Sequence, residues 1–124
     1  MRLVQVAQRA VELDRAVAFY ARLLDSEPVG IFDPPGLAFF DLDGVRLLLD
    51  VGAPAALIYL EVHDVRERIE ELRSDGIEIT GEPQVIFRHD DDRLGPAGTD
   101  EWMAFIRDSE GNTVGLVSQL PGTG

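Results

Sequence analysis

Alternation between apolar and polar positions divides the chain into two helices and a series of short strands. Apolar residues recur at helical spacing over residues 12–24 and again over residues 65–74, and each set forms one stripe along a helix. Short apolar or alternating runs, separated by turn residues such as Asp43-Gly44, predict strands between and after the helices. The predicted strands span residues 5–7, 29–32, 37–42, 45–50, 57–62, 77–80, 102–107 and 113–118, with 85–88 extending the sixth or forming another.

The order strand–helix–strand–strand–strand occurs twice in this pattern. The helix start at residues 12–17 matches residues 64–69, and the hairpin at residues 41–49 matches residues 108–116. A polar segment containing Gly and Pro, residues 89–100, interrupts the second copy alone. The sequence therefore predicts an α+β fold made of two tandem βαβββ modules.

We place the first module at about residues 1–52 and the second at about residues 55–119. We expect the two modules to form a single domain over residues 1–124, because a module of about 55 residues has a thin core by itself. Residues 120–124 are expected to be a disordered tail.

Two segments resemble one known family. The run ELDRAVAFY at residues 12–20 resembles the helix that opens the first module of vicinal oxygen chelate proteins, the glyoxalase/bleomycin-resistance/dioxygenase group. The run FIRDSEGN at residues 105–112 resembles their C-terminal hairpin. Glu12 stands where the family usually has Asp, and Ser109 where it usually has Pro. The resemblance implies a glyoxalase-like cleft of curved mixed sheet with helices on the outside, and a homodimer.

Composition and charge narrow the function classes. The chain of 124 residues is 45% hydrophobic and 27% charged, which is typical of a globular protein. Its net charge of −12 disfavours nucleic acid and anionic membrane surfaces as partners. No apolar run is long enough to span a membrane, and the charges near the N-terminus do not match a signal peptide, so we expect a cytoplasmic protein. Without cysteine, a metal site would need His, Asp or Glu.

The family resemblance also implies where a metal would bind. Metal-using members have a His on the first strand of each module and a carboxylate on the last strand. The corresponding positions here are Gln5, Leu57, Leu48 and Gly115. A single neutral amide does not hold a divalent cation against water. We therefore predict no metal ligand and no cofactor, with a divalent metal only if non-standard ligands such as the acids at residues 90–92 are used.

With apolar residues at these positions, the cleft becomes a pocket suited to a small organic ligand. Its expected lining is Gln5, Ala7, Phe39, Arg46, Leu48, Leu57, Tyr59, Glu61, His89, Trp102, Thr113 and Gly115. Core packing is the alternative for the aromatic residues, and a surface position is the alternative for His89. Glu61 is the first candidate base, because burial beside Leu57 and Tyr59 would make its carboxylate more basic. Glu101, at the exit of the long loop, is the second candidate.

Three functions remain open. The first is a metal-free protein that binds a small organic ligand, in the manner of bleomycin-resistance proteins, and the net charge is compatible with a cationic ligand. The second is a lyase or epimerase similar to glyoxalase I or methylmalonyl-CoA epimerase, with a non-standard metal site and Glu61 or Glu101 as base. The third is a regulatory module with a degenerate pocket.

Overall fold

The computed structural model describes residues 1–122 and contains two compact units. Unit 1 comprises residues 1–56 and 108–112, and unit 2 comprises residues 57–107 and the chain from Thr113 onward. The helices are α1 (Leu13–Leu24) and α2 (Val65–Ser74). The strands are β1 (Gln5–Arg9), β2 (Gly30–Phe32), β3 (Leu37–Leu42), β4 (Val45–Asp50), β5 (Ile58–Glu61), β6 (Ile79–Arg88), β7 (Thr99–Arg107) and β8 (Thr113–Pro121).

Unit 1 is a four-stranded mixed sheet with α1 packed on one face. The strand order is β1-β4-β3-β2, and β1 runs parallel to β4 while the other pairs are antiparallel. Helix α1 buries Leu13, Ala16 and Tyr20, whose spacing places them on one side of the helix. The sheet residues that alternate towards this core include the fully buried Phe40 and Leu49.

Unit 2 repeats this arrangement with the order β5-β8-β7-β6. Helix α2 buries Val65, Ile69 and Leu72, again at helical spacing. Its N-cap, Asp64, accepts a hydrogen bond from the backbone N–H of Arg66. Within residues 1–122 neither helix is long and apolar enough to cross a membrane.

The register of the two sheets confirms the predicted repeat of two βαβββ modules. In unit 1 the parallel pair β1/β4 places Ala7 opposite Leu48. In unit 2 the parallel pair β5/β8 places Tyr59 opposite Gly115, the positions that correspond to Ala7 and Leu48 in the sequence repeat. The α+β fold class is therefore as predicted.

Backbone pairing extends the last two strands, β7 and β8, beyond their predicted limits. Strand β7 begins at Thr99 because Thr99 pairs with Pro121, so the irregular loop is residues 89–98 rather than 89–100. Strand β8 therefore includes Leu120 and Pro121, where we expected a disordered tail, and residues 123–124 lie outside the described residues. Hydropathy did not indicate these extensions because ladder hydrogen bonds do not depend on side-chain polarity.

The turn between β7 and β8, residues 108–112, packs against α1 and is called the anchoring turn below. Asp108 is its centre: Oδ1 accepts the backbone N–H groups of Glu110 and Asn112, both at 2.8 Å. Oδ2 accepts the hydroxyl of Tyr20 at 2.6 Å. The side chain of Asn112 donates to the carbonyl oxygen of Arg9 at 2.8 Å. The turn thus joins the end of β1 and the middle of α1 through buried polar groups.

Glu110 of the anchoring turn caps α1. Its carboxylate accepts the backbone N–H of Glu12 at 2.6 Å and the Nε–H of Arg15 at 2.7 Å. Glu12 is the N-cap of α1 but its own side chain makes no capping bond, so Glu110 supplies the acceptor. Burial opposes ionisation of Glu110, but the hydrogen bonds from Arg15, Glu12 and Ser109 outweigh it and lower its pKa to about 2.

Candidate functional site

Five of the predicted pocket residues share one face of the unit 1 sheet, opposite α1. Register and alternation place Gln5 beside Arg46, and Ala7 beside Leu48 and Phe39. A groove of about 340 Å³ opens on this face. The groove, called the unit 1 groove below, is lined by Gln5, Val29, Gly30, Phe32, Phe39 and Arg46.

The unit 1 groove combines an apolar floor with one fixed cation. The rings of Phe32 and Phe39 meet edge to face, with their centroids 5.9 Å apart. Gln5 Oε1 accepts a hydrogen bond from Arg46 Nε at 2.9 Å, which orients the exposed guanidinium. Ala7 and Leu48 lie on the same face but do not line the groove, and Leu48 is buried.

Three lining residues of the unit 1 groove, Val29, Gly30 and Phe32, were not predicted from the sequence. Val29 and Phe32 are 68% and 55% exposed, which is unusual for large apolar side chains. Phe32 pairs with Leu37, and Gly30 pairs with Phe39, so the face they share follows from the β2/β3 register. The pairing of these two strands, once assumed, would have placed Gly30 and Phe32 on the face of Phe39, whereas it does not include Val29.

In unit 2, the predicted pocket residues Tyr59, Glu61, Thr113 and Gly115 share one face of the sheet, as the register of β5 with β8 requires. The aromatic rings of Tyr59 and Phe105 meet over Gly115, with centroids 6.0 Å apart. A Cβ atom at Gly115 would lie 2.5 Å from Tyr59 Cδ1 and 3.2 Å from Phe105 Cε1. The glycine is therefore required for the two rings to pack across β8.

Three predicted residues differ from the expectation: Trp102 in the face it occupies, and Glu61 and Leu57 in their exposure. Trp102 lies on the opposite face of the sheet, which is covered by α2. It pairs with Ser118, and the hydroxyl of Ser118 accepts a hydrogen bond from the backbone N–H of Val65 at the start of α2. The guanidinium carbon of Arg66 lies 4.9 Å from the centroid of the Trp102 ring. Glu61 is exposed rather than buried, and Leu57 precedes β5 and is 52% exposed. The burial that made Glu61 the first candidate base is therefore absent within unit 2.

His89 and Glu101, predicted separately, lie in contact. His89 Nε2 is 3.0 Å from Glu101 Oε1, and the same oxygen accepts a hydrogen bond from Gln119 Nε2 at 3.0 Å. The side chains of His89 and Glu101 are only 2% and 10% exposed, so the surface position considered for His89 is wrong. Gln119 was missed, because nothing in the sequence showed that β8 extends far enough to place it beside Glu101.

The family's metal positions do not fit a metal in this chain. Leu48, Leu57 and Gly115 offer no side-chain ligand, and the oxygen of Gln5 already accepts a hydrogen bond from Arg46. The ring of Tyr59 also covers the position of Gly115, where metal-using relatives have a carboxylate. Within residues 1–122 no group of three or more His, Asp and Glu side chains is arranged to hold a metal ion.

Comparison with known proteins gives one family. The model of the family described as Glyoxalase/Bleomycin resistance protein/Dioxygenase superfamily matches residues 2–116, nearly the whole chain. This match confirms the resemblance inferred from the helix start and the C-terminal hairpin. No curated protein matches the chain.

Solved structures are similar in fold at low sequence identity. A lactoylglutathione lyase from Agrobacterium tumefaciens has a TM-score of 0.71 and 23% identity, covering 94% of this chain and 92% of that protein. A superfamily member from Sphaerobacter thermophilus has a TM-score of 0.69 and 18% identity, covering 94% and 96%. A glyoxalase I mutant from Zea mays has a TM-score of 0.68 and 20% identity, covering 96% of this chain and 45% of that protein. At these identities the likeness shows the fold alone.

Proposed function

Because the chain belongs to the Glyoxalase/Bleomycin resistance protein/Dioxygenase superfamily, we propose that it binds a small organic molecule in the unit 1 groove without a metal ion. The observation that carries the proposal is the Gln5–Arg46 hydrogen bond beside an apolar floor. Ligand sites of this kind are concave and mostly apolar, with a few fixed polar groups that orient the ligand.

Arg46 favours a ligand with an apolar body and one anionic group, such as a carboxylate. The guanidinium can donate two parallel hydrogen bonds to a carboxylate, and its Nε is already held by Gln5. The net charge of −12 favours cations at long range. Salt screens that field over about 8 Å, however, whereas Arg46 lies in the groove itself. Because Arg46 is the nearer charge, it determines the sign of the charge that the ligand carries.

Calorimetric titration with 4-phenylbutyrate and with 4-phenylbutylamine tests the sign of the ligand charge. We expect the carboxylate to bind more tightly than the amine, and Arg46→Gln to weaken carboxylate binding by about tenfold. Arg2→Gln is the matched control, because Arg2 is exposed in the same unit and donates to the Gly44 carbonyl rather than lining the groove. Preferential binding of the amine, unchanged by Arg46→Gln, would support the cationic ligand predicted from net charge instead.

The metal-free part of the proposal has its own test. Elemental analysis of the purified protein should show no stoichiometric nickel, zinc, cobalt, manganese or iron. A one-to-one metal content that survives dialysis against a chelator would contradict it and would favour the lyase or epimerase alternative with non-standard ligands.

The homodimer and the cytoplasmic location stay predictions. Sedimentation velocity at several protein concentrations tests the first, with a dimer mass expected at micromolar concentration. Binding of neither phenyl compound would leave the regulatory module as the remaining hypothesis.

A further inference from the structure

A second groove, separate from the unit 1 groove, opens beside the long loop of unit 2. Its volume is about 460 Å³. It is lined by Phe87, Arg88, His89, Asp90, Asp91, Arg93 and Leu94, and is called the loop groove below. His89 is the one lining residue among these that is buried, since the others are half-buried or exposed.

The ring of His89 is held in one orientation. The ring of Phe87 meets it edge to face at 4.6 Å between centroids. Gly95 lies against it so closely that a Cβ atom there would be 2.9 Å from His89 Cε1. The backbone on both sides is also fixed, because His89 N–H donates to the Thr99 carbonyl and Gly98 N–H donates to the His89 carbonyl, both at 2.8 Å.

The hydrogen bonds of Glu101 determine which nitrogen of His89 carries the proton. An ionised carboxylate only accepts hydrogen bonds, and Oε1 already accepts from Gln119. His89 must therefore donate from Nε2, which leaves Nδ1 as an acceptor. Nδ1 has no hydrogen-bond partner within residues 1–122 and is not among the fully buried atoms there, so it keeps a small accessible surface in the loop groove although the His89 side chain is only 2% exposed.

The charges around the loop groove are largely compensated. Arg93 pairs with Asp91 at 2.9 Å, and Arg88 lies 3.4 Å from Asp100. Phe87 and the 77% exposed Leu94 add apolar surface. A ligand that complements this lining is neutral, has an apolar or aromatic body, and presents a hydroxyl donor to Nδ1.

We propose that His89 and Glu101 form a proton-accepting site in the loop groove for a neutral phenol. The hydroxyl of the phenol donates to Nδ1 of His89, and its ring packs on Phe87 and Leu94. When the O–H bond of the phenol breaks, its proton forms a bond with Nδ1 and its electron pair stays on the phenolate oxygen. His89 then carries the positive charge, and Glu101 stabilises it as the positioning residue through the Nε2–H bond.

The probe is 4-nitrophenol, because its phenolate has a separate visible absorption band. We expect saturable binding when His89 and Glu101 are intact, with a larger phenolate fraction bound than in free solution at the same pH. Glu101→Gln keeps an oxygen acceptor for His89 and Gln119 but removes the charge, so the phenol should still bind and stay largely neutral. The phenolate-to-phenol ratio should fall by about tenfold. His89→Gln should abolish the phenolate band of the bound probe.

Glu67→Gln is the matched control, because Glu67 is an exposed acid of the same unit that does not line the loop groove. It should leave the phenolate fraction unchanged, and circular dichroism should show all variants folded. Nitrogen-15 NMR, with exposed His63 as an internal reference, should show the Nε2–H form of His89 in the wild type. Absence of saturable binding, equal effects of Glu101→Gln and Glu67→Gln, or an Nδ1–H form of His89 would each overturn the proposal. All titrations are made in an Arg46→Gln background, which removes the cation of the unit 1 groove, so that phenolate still bound in that background is assigned to the loop groove.

Discussion

The two repeated hairpin turns have related sequences and different structural roles. In the first turn, Asp41-Leu42-Asp43-Gly44, both acids and the glycine are exposed. Its side-chain bonds are also exposed: the Gly44 N–H donates to Asp41 Oδ1 at 3.2 Å, and Arg2 donates to the Gly44 carbonyl at 2.9 Å. The second is the anchoring turn, in which Asp108, Glu110 and Asn112 are all buried. The first turn joins two strands, whereas the second also holds α1 and β1. Equivalent positions after a duplication therefore need not contribute equally to stability.

The largest expected difference lies at the first Asp of each turn. Asp108→Ala removes the carboxylate that accepts hydrogen bonds from the Tyr20 hydroxyl and from the backbone N–H groups of Glu110 and Asn112. Because all three residues are buried, we expect the free energy of unfolding to fall by about 3–5 kcal/mol. Asp41→Ala removes one exposed bond and should cost about 0.5 kcal/mol. Urea unfolding of both variants measures the difference. Equal midpoints would mean that the anchoring turn does not stabilise unit 1 as described.

The acid before each turn glycine should differ in its response to pH. Folding lowers the pKa of Glu110 from 4.5 to about 2, so its stabilisation is present above pH 4.5 and is lost as the pH falls towards 2. We expect the free energy of unfolding to fall by about 2 kcal/mol across this range. The loss is limited to this size because Arg15 is half exposed and solvent partly screens its attraction to Glu110. Glu110→Gln should remove this part of the pH dependence, as followed by urea unfolding at pH 5 and pH 2.5. Asp43→Asn, at the equivalent exposed position, should leave this pH dependence unchanged. If the free energy of unfolding changed equally with pH in both variants, that would be evidence against the role of Glu110.

The contact between the anchoring turn and α1 can be weakened through Tyr20. Burial and the neighbouring Asp108 both raise the pKa of Tyr20, so its hydroxyl remains a donor throughout the neutral range. Tyr20→Phe should cost about 1.5 kcal/mol, because a buried bond to a carboxylate is lost without loss of ring packing. Tyr59→Phe is the control, since the hydroxyl of Tyr59 makes no hydrogen bond within residues 1–122 and the residue is 51% exposed. Thermal unfolding should rank the two variants in this order, and the reverse order would contradict the assignment.

The smallest difference is expected at the turn glycines. Gly44 and Gly111 have φ values of +92° and +84°, and a Cβ atom at either would have no neighbour within 4 Å. Alanine at either position should therefore lower the free energy of unfolding by about 1–2 kcal/mol, through backbone strain alone. Chemical unfolding should give costs that agree within about 0.5 kcal/mol. A larger cost at one glycine would show that the turns also differ in backbone conformation.

The fold was more predictable than the site, for a physical reason. Periodicity located α1, α2 and the β3/β4 hairpin because burial of one face imposes a fixed spacing on apolar residues. The contact between His89 and Glu101 depends on the pairing of β6 with β7, which is built by backbone bonds that hydropathy does not reveal. Trp102 was assigned to the wrong face because the register of β7 was not known from sequence.

The role of the anchoring turn was also hidden in the sequence. The motif Asp-Ser-Glu-Gly-Asn at residues 108–112 contributed to the family resemblance, but no pattern in it predicted that Glu110 would cap a helix far earlier in the chain. Such a bond joins residues far apart in sequence, and its existence depends on the packing of the whole unit.

The packing of Tyr59 over Gly115 has a consequence for any attempt to build a ligand at this position. A carboxylate introduced at residue 115 would place its Cβ against the Tyr59 ring, so that ring must move or become smaller. The cost of the substitution therefore depends on the residue at position 59. Gly115→Glu should accordingly destabilise the protein less in a Tyr59→Ala background than in the wild type, and equal destabilisation in both backgrounds would show that the Tyr59 ring does not set this cost.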